Sequence, residues 1–521
     1  MSRHGRHQRD AKAYIVRGGT YPLIVGKILT EVSDDPEAKK GISRREALGL
    51  AGGLVIGGVV GAGASMFAAP PRVVQQIVTA TATGAKPSVP STNLKVGCQS
   101  FLKGPNAPQG EPLPKGVDLA VSEINAAGGI LGRKIELITR DEGPAVDDTV
   151  KEYRREVLED KIDFYIGLVS SSSTPAVAPV AEELGVITLF VDGCTDTVFD
   201  IIDTHPKVVF RNHIQSPDGI SMVLHEIRQF RMKNGGKDPA SFVHIHPDYA
   251  YGRLVYAHSA LAAKTVLPAS KEVIAPSFVT FPGTTDFSSY ITKTLDAKPD
   301  VVVSSEWGGD FLAFYKQALG YGFFKQIPVF GSTLSHGSYP GFIGADFPEG
   351  LCAGCHSNYW FQWPPWDISP VNKSFATSFK AKYGEYPNFE AEGSYTMAYA
   401  YKGAVEVAAK LKGGWPSTEE IVSVLENWVL VAPSSYWFIR KDNHEGYKDV
   451  AIVGTSKSDA ALGMSTVSDI WGIPTRYVSA PAGWQLTQFD AKADPVNRPT
   501  ATADWIYKTW TKGAWPQGVP P

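Results

Sequence analysis

A run of hydroxyls offers the clearest chemistry in this chain: Gly167-Leu168-Val169-Ser170-Ser171-Ser172-Ser173-Thr174, followed by Pro175. It comes directly after Asp163-Phe164-Tyr165-Ile166, which reads as a buried strand, and before Val177, Val180, Ala181 and Leu184, which recur at helical spacing. Hydroxyls at a strand-to-helix junction sit beside unpaired backbone N–H groups and the positive end of a helix dipole. That arrangement suits a carboxylate or another acceptor-rich small molecule. The same residues also make an ordinary N-cap loop, and the stretch by itself does not choose between the two. Acyl-transfer chemistry finds no support, because no Gly-x-Ser-x-Gly elbow surrounds the serines.

A second chemical signature is Cys352-Ala353-Gly354-Cys355-His356, the Cys-x-x-Cys-His pattern of c-type haem attachment. It follows Glu349-Gly350-Leu351 in what reads as an extended crossover strand, whereas haem attachment needs a loop–helix context and an axial partner. In a strand, side chains i and i+3 point to opposite faces, which also strains a disulfide. A haem carrier, a redox or metal pair, and small buried hydrophobes are the three readings, and the strand context favours the last. Cys98 and Cys194 both fall at strand ends, so a disulfide between them is a further option. The 11 histidines are scattered, with His244 and His246 alternating in one strand and no His-Glu-x-x-His. The sequence therefore predicts no metal site and no cofactor, and nothing in it points to an enzyme.

A chain of 521 residues at 43% hydrophobic content is long enough for two or three domains with cores. A net charge of −3 without a basic stripe argues against nucleic acid as a partner. Only 4 cysteines exclude a disulfide scaffold. Near the start, Ser43-Arg44-Arg45 precedes a Gly- and Ala-rich apolar run to about Ala69, which resembles a twin-arginine export signal. Residues 1–69 are therefore expected to be a signal, or an uncleaved membrane anchor, behind a polar leader. Residues 70–93, rich in Pro, Thr, Ser and Ala, read as a flexible linker. The folded part is expected outside the cytoplasm, periplasmic or at the cell surface.

From Leu94 onward strands and helices alternate. Strands are predicted at 94–98, 135–138, 163–166 and 186–190, with helices at 116–126, 149–160 and 175–184 between them. Such alternation implies a parallel sheet covered on both faces, with ligands bound beyond the carboxyl ends of the strands. A second series follows, with strands at 241–245, 301–304 and 329–331. The fold class is thus α/β, with two Rossmann-like parallel-sheet lobes joined by three crossovers. The first lobe is expected at 94–211 plus 352–430 and the second at 212–351 plus 431–455. A Trp-rich C-terminal extension of irregular structure is expected at 456–521.

Gly104-Pro105-Asn106, Gly116-Val117-Asp118-Leu119-Ala120 and the run Ile124-Asn125-Ala126-Ala127-Gly128-Gly129-Ile130-Leu131-Gly132-Arg133 resemble the leucine/isoleucine/valine-binding protein family. Asp248-Tyr249-Ala250-Tyr251-Gly252 and Thr284-Thr285-Asp286-Phe287 resemble further landmarks, and the similarity covers about 94–455. The resemblance implies a type I periplasmic solute receptor of an ABC transporter, closing two lobes on a small solute and delivering it to permease subunits. A membrane-anchored sensor of the same fold is the alternative. By the same resemblance, Ser172 and Ser173 would donate to a ligand carboxylate. Gly193, Cys194 and Thr195 would grip its main-chain atoms, Tyr251 would reach it from the second lobe, and Trp307 would form an aromatic wall. Two positions depart from amino-acid receptors: Thr333 stands where an acid pairs with the ligand ammonium, and Gln109 where an aromatic is common. A buried ammonium without a carboxylate costs several kcal/mol. Glu390 would supply that charge, in a pocket suited to amides, urea or polar amino acids.

Overall fold

The computed structural model describes residues 88–143, 145–200, 206–213, 216–335, 344, 347–354, 356, 370–426, 428–434, 436–448, 450–484 and 500–521. The stretch expected to be an export signal, most of the expected linker and Cys355 lie outside these residues. Among the described residues no helix is long and apolar enough to cross a membrane.

Five parallel strands form the first sheet: β1 (Leu94–Ser100), β2 (Ile135–Asp141), β3 (Phe164–Gly167), β4 (Ile187–Phe190) and β5 (Val209–Arg211), in the order β2-β1-β3-β4-β5. β3 and β4 are buried along their whole length, as near-continuous apolar runs covered on both faces must be. β5 ends at Arg211, the residue where the first part of lobe one is expected to end. Helix Pro112–Ala126 packs beneath helix Phe389–Lys412, which starts from Asn388, whose side chain accepts the Ala391 N–H at 3.1 Å. The approach is close: a Cβ on Gly116 would fall 2.2 Å from Ser394 Oγ.

The second sheet holds β6 (Ser241–Pro247), β7 (Lys271–Glu272), β8 (Ser277–Val279), β9 (Val301–Ser304), β10 (Val329–Ser332) and β11 (Cys352–Gly354). β11 pairs in parallel with β10, so the return towards the first lobe, expected from Cys352, begins after Gly354. Extended residues beside an unpaired strand satisfy their backbone groups there first. A separate antiparallel sheet of β12 (Val429–Val431), β13 (Tyr436–Ile439) and β14 (Gly446–Lys448) leans on β5 rather than joining the second lobe. Arg211 N–H donates to His444 O at 3.1 Å, and the Arg211 guanidinium is buried between Asp196 and Glu445.

β15 (Val450–Asp459) and β16 (Met464–Pro474) run antiparallel beyond β11 and widen the second sheet to eight strands. Much of the stretch expected to be irregular is therefore regular. Helix Ala501–Thr509 then packs against helix Ala250–Val266. Aromatic contacts hold this segment: Trp471 and Trp515 meet edge to face at 6.0 Å, and Arg228 and Arg231 lie over their rings.

Cys98, Cys194 and Cys352 are all free and buried, which overturns the Cys98–Cys194 disulfide. β3 lies between β1 and β4, and Cys194 turns away from β1 towards Asp192, His213 and His356.

Candidate functional site

The carboxyl ends of the two sheets enclose a cavity of about 470 Å³. On one side stand Ser170, Ser172 and Ser173, with Asn106 and Asp141; on the other, Tyr249, Phe281 and Trp307. The aromatic side is internally braced. Tyr249 stacks on Phe281 with centroids 5.0 Å apart, Phe281 meets Trp307 at 4.8 Å, and Trp307 Nε1 donates to Tyr249 Oη at 2.8 Å. Such a wall offers rigid apolar area at little entropic cost.

The serine loop begins at Leu168, whose φ of +72° is rare for a residue with a Cβ. The strain is held from several sides: Leu168 N–H donates to Gln99 O at 3.2 Å, and Glu142 accepts from Val169 N–H and Ser170 N–H, both at 2.9 Å. Burial pushes the Glu142 carboxyl up to about 7, against the pull of those two N–H groups. Ser173 Oγ meets Thr149 Oγ1 at 3.2 Å, and Ser172 N–H donates to Ser170 Oγ at 3.2 Å, which leaves the Ser172 hydroxyl on the cavity wall. Two backbone N–H groups of this loop are thus spent on an internal carboxylate, a detail no spacing announces.

A narrower space of about 10 Å³, enough for one small atom, lies deeper between the lobes. Gln109, Asp192, Cys194, Tyr249, Tyr251, Trp307 and His356 line it together with Val169, Ser171 and Leu334. Gln109 Nε2 donates to Glu390 Oε1 at 3.1 Å, and Tyr251 and Thr333 share a hydroxyl bond of 2.7 Å. The two departures noted in the sequence therefore each have a protein partner. Burial, then the neighbouring Asp192, hold the Glu390 carboxyl well above the usual carboxylate range. Gly193 takes φ +65° where a Cβ would meet Thr174 Oγ1 at 1.9 Å, and its carbonyl accepts from Thr174 Oγ1 at 3.1 Å and Thr195 N–H at 2.8 Å. Thr195 is buried behind it.

Gln109, Cys194, Tyr251 and Trp307 thus share the narrow space, and Ser172 and Ser173 join Trp307 in the larger one. Gly193, Thr195, Thr333 and Glu390 stand behind these residues. The sequence did not single out Glu142, Asp192, Tyr249, Phe281, His213 or His356 as part of this region. Asp192 directly precedes the Gly193 turn, and Tyr249 lies in the Asp-x-x-Tyr-Gly stretch, so both could have been suspected. Glu142, Phe281 and His213 arrive from positions with no local signal.

Asp192, Cys194, His213 and His356, all buried, bring four ligand-type atoms within 4.8 Å of one another. Burial first, then Asp192, pushes the Cys194 thiol well up. Burial drives the His213 imidazole well below its ordinary value, while Asp218 outweighs burial at His356 and raises it.

A family model described as a periplasmic binding protein matches residues 93–461. A Leu/Ile/Val-binding protein homolog 7 from Brucella suis is 28% identical over 343 residues, covering 64% of this chain and 81% of that protein. Among solved structures, the solute-binding protein of an ABC transporter from R. palustris in complex with benzoate superposes with a TM-score of 0.59 at 19% identity, over 73% of this chain and 98% of that one. The branched-chain amino acid transporter substrate-binding protein LivJ from Streptococcus pneumoniae, in complex with isoleucine, gives 0.57 at 18% identity, over 73% and 99%.

Proposed function

The chain belongs to the periplasmic binding protein family, and we propose that it is the extracytoplasmic receptor of an ABC transporter, capturing a small amino-acid or amide-like solute and handing it to permease subunits. The observation that carries this reading is the cavity of about 470 Å³ between the strand ends, polar on the serine side and aromatic on the other. A solute carboxylate or amide oxygen would take the Ser172 hydroxyl, and its body would lie along Trp307 and Phe281. Contacts to both lobes form together only when the cleft is closed, so the solute draws the population towards that state. Glu390 would act on the solute's cationic or amide N–H group from behind Gln109, and would meet a cation only by giving up the proton that its burial favours. Export places this capture outside the cytoplasm, with the N-terminal segment as signal or tether; a membrane-anchored sensor would use the same cleft.

A second solute class, aromatic carboxylates, is favoured by the Tyr249–Phe281–Trp307 wall, and a related fold holds benzoate. Thermal-shift screening of the purified protein against amino acids, amides, urea and benzoates separates the two, since a bound solute stabilises by mass action. We expect a shift of several degrees with one class. No response to any of them would overturn the receptor reading. For the hit, calorimetric titration of Glu390→Gln should weaken binding about 10-fold or more if the solute carries a cation, as loss of a charged hydrogen bond costs about 1.5–3 kcal/mol. Unchanged affinity would remove Glu390 from the site.

A further inference from the structure

We propose that Asp192, Cys194, His213 and His356 form a binding site for a divalent transition metal, zinc by the chemistry of its donors. Thiolate, two imidazoles and one carboxylate are the ligand types zinc selects, in the number a closed tetrahedral site needs. The donor separations suit it: Cys194 Sγ lies 3.1 Å from His213 Nε2 and 3.5 Å from His356 Nε2, and His356 Nε2 lies 4.0 Å from Asp192 Oδ1. Bonds of about 2.0–2.3 Å to one central ion leave tetrahedral donors about 3.3–3.8 Å apart. Across the whole set the separations run from 2.5 Å, between Cys194 Sγ and Asp192 Oδ1, to at most 4.8 Å, so an ion at the centre would push the thiol and the carboxylate apart and draw the imidazoles in.

The surroundings point the same way. His356 Nδ1 meets the Asp218 carboxylate and its Nε2 faces the cluster, the carboxylate–histidine arrangement that orients an imidazole which ligates a metal once that nitrogen has given up its proton. His213 directs Nε2 at Cys194, while its own Nδ1 is buried with no hydrogen-bond partner among the described residues. Tyr251 and Phe389 pack edge-on against the His356 ring and fix its plane. The bland alternative is a hydrogen-bonded cluster in which the Cys194 thiol donates to Asp192. That network satisfies the thiol, but it turns both imidazole Nε2 atoms and one carboxylate oxygen onto a single weak donor.

The placement says what the ion would do. Asp192 and Cys194 follow β4 in the first sheet. His213 follows β5 and His356 follows β11, each where the chain passes between the two sheets. One ion on all four would pin both passages to the rim of the first lobe, beside the narrow space of the solute site. On loading, the Cys194 S–H bond gives way to a sulfur–metal bond and its proton leaves to solvent. This inference needs no assumption about which solute the cleft takes.

The test uses the full chain, stripped with a chelator and then reloaded. Elemental analysis after dialysis against zinc should give one equivalent per chain. Cobalt loading should give a thiolate-to-cobalt charge-transfer band in the near ultraviolet with visible bands of tetrahedral intensity. Cys194→Ser should abolish the charge-transfer band, and His213→Ala should weaken zinc binding by more than about 100-fold, beyond what an outer-shell partner carries. His246→Ala, outside the cluster, should leave both unchanged. If Cys194→Ser fails to fold, the cobalt spectrum of the unaltered chain still decides. Substoichiometric metal, a cobalt spectrum lacking the thiolate band, or full binding by folded Cys194→Ser each overturns the proposal, the last by placing the ion elsewhere.

Discussion

Two buried histidine groups in this molecule start from similar parts and end differently. In the second sheet, His244 Nδ1 and His246 Nε2 meet at 3.2 Å, and His246 Nδ1 meets Ser305 Oγ at 2.7 Å. Tyr256 packs across both rings, and among the described residues no acid or thiol hydrogen-bonds to either. Beside the cleft, His213 and His356 converge instead on Cys194 and Asp192, with Asp218 behind. The first group is an electrically neutral relay that closes on itself; burial pushes His244 down to about 3. The second gathers anionic donors around a common point. Having two imidazoles is not enough to hold a cation: convergence and compensating negative charge make the difference.

The largest expected contrast lies in metal affinity. Asp218→Asn, which keeps His356 but weakens its orienting partner, should cost about 10–100-fold in zinc affinity by competition with a chromophoric chelator. His244→Phe should cost nothing there, and a comparable loss would erase the distinction between the groups.

Acid and alkali should separate the two regions next. Glu142 at about 7 and Glu156 at about 8 are both raised, chiefly by burial, so the folded chain keeps protons that the unfolded chain releases near 4.5. Their contribution is complete below about 4.5 and is lost as pH rises through 7 and 8; for Glu142 that is about 3 kcal/mol as an order of magnitude. His244 is lowered, so its contribution is present above 6.5 and is lost as pH falls towards 3. Denaturant titrations from pH 4 to 9 should find Glu142→Gln flattening the alkaline limb and His244→Phe flattening the acid limb. Either variant flattening the other's limb would contradict the assignment.

The last effects mark the solute side, which belongs to neither group. Trp307→Ala should cost the captured solute about 2 kcal/mol, roughly 30-fold in Kd, and about 3–5 kcal/mol of stability, because the ring is buried against Phe281 and Tyr249. Tyr251→Phe removes the bond to Thr333 and should lower stability by about 1 kcal/mol, read as a shift in denaturation midpoint.

Seven strands, β1 to β4, β6, β9 and β10, and the helices between them were legible because their periods are strong and their punctuation is local, as at Gly128-Gly129. What was not legible depended on pairing partners. Nothing within Cys352-Ala353-Gly354 says that β10 waits beside it, and nothing within 429–448 says that β5 does. The serine loop was found by composition, yet its occupation by Glu142 was hidden because the carboxylate sits 27 residues before Val169. The cysteine signature misled in an instructive way: Cys352 is buried in a strand, and His356, three residues past that strand's Ala353, works with Cys194 across 162 positions. Short motifs advertise neighbours in sequence; this cluster consists of neighbours in space only.

The match to the family model stops at residue 461, inside the turn between β15 and β16. β16 pairs with β15 from Met464 to Pro474, so the last shared residue is not a safe place to cut. A chain ended there would leave β15 with a bare row of N–H and C=O groups along about 9 residue pairs, and would uncover Val453 and Trp471's former neighbours on helix Ser216–Lys233. Sheet edges of that length recruit other strands. The C-terminal segment thereby becomes the seal of the second lobe, and its loss should be read as self-association in concentrated solution before any loss of solute capture.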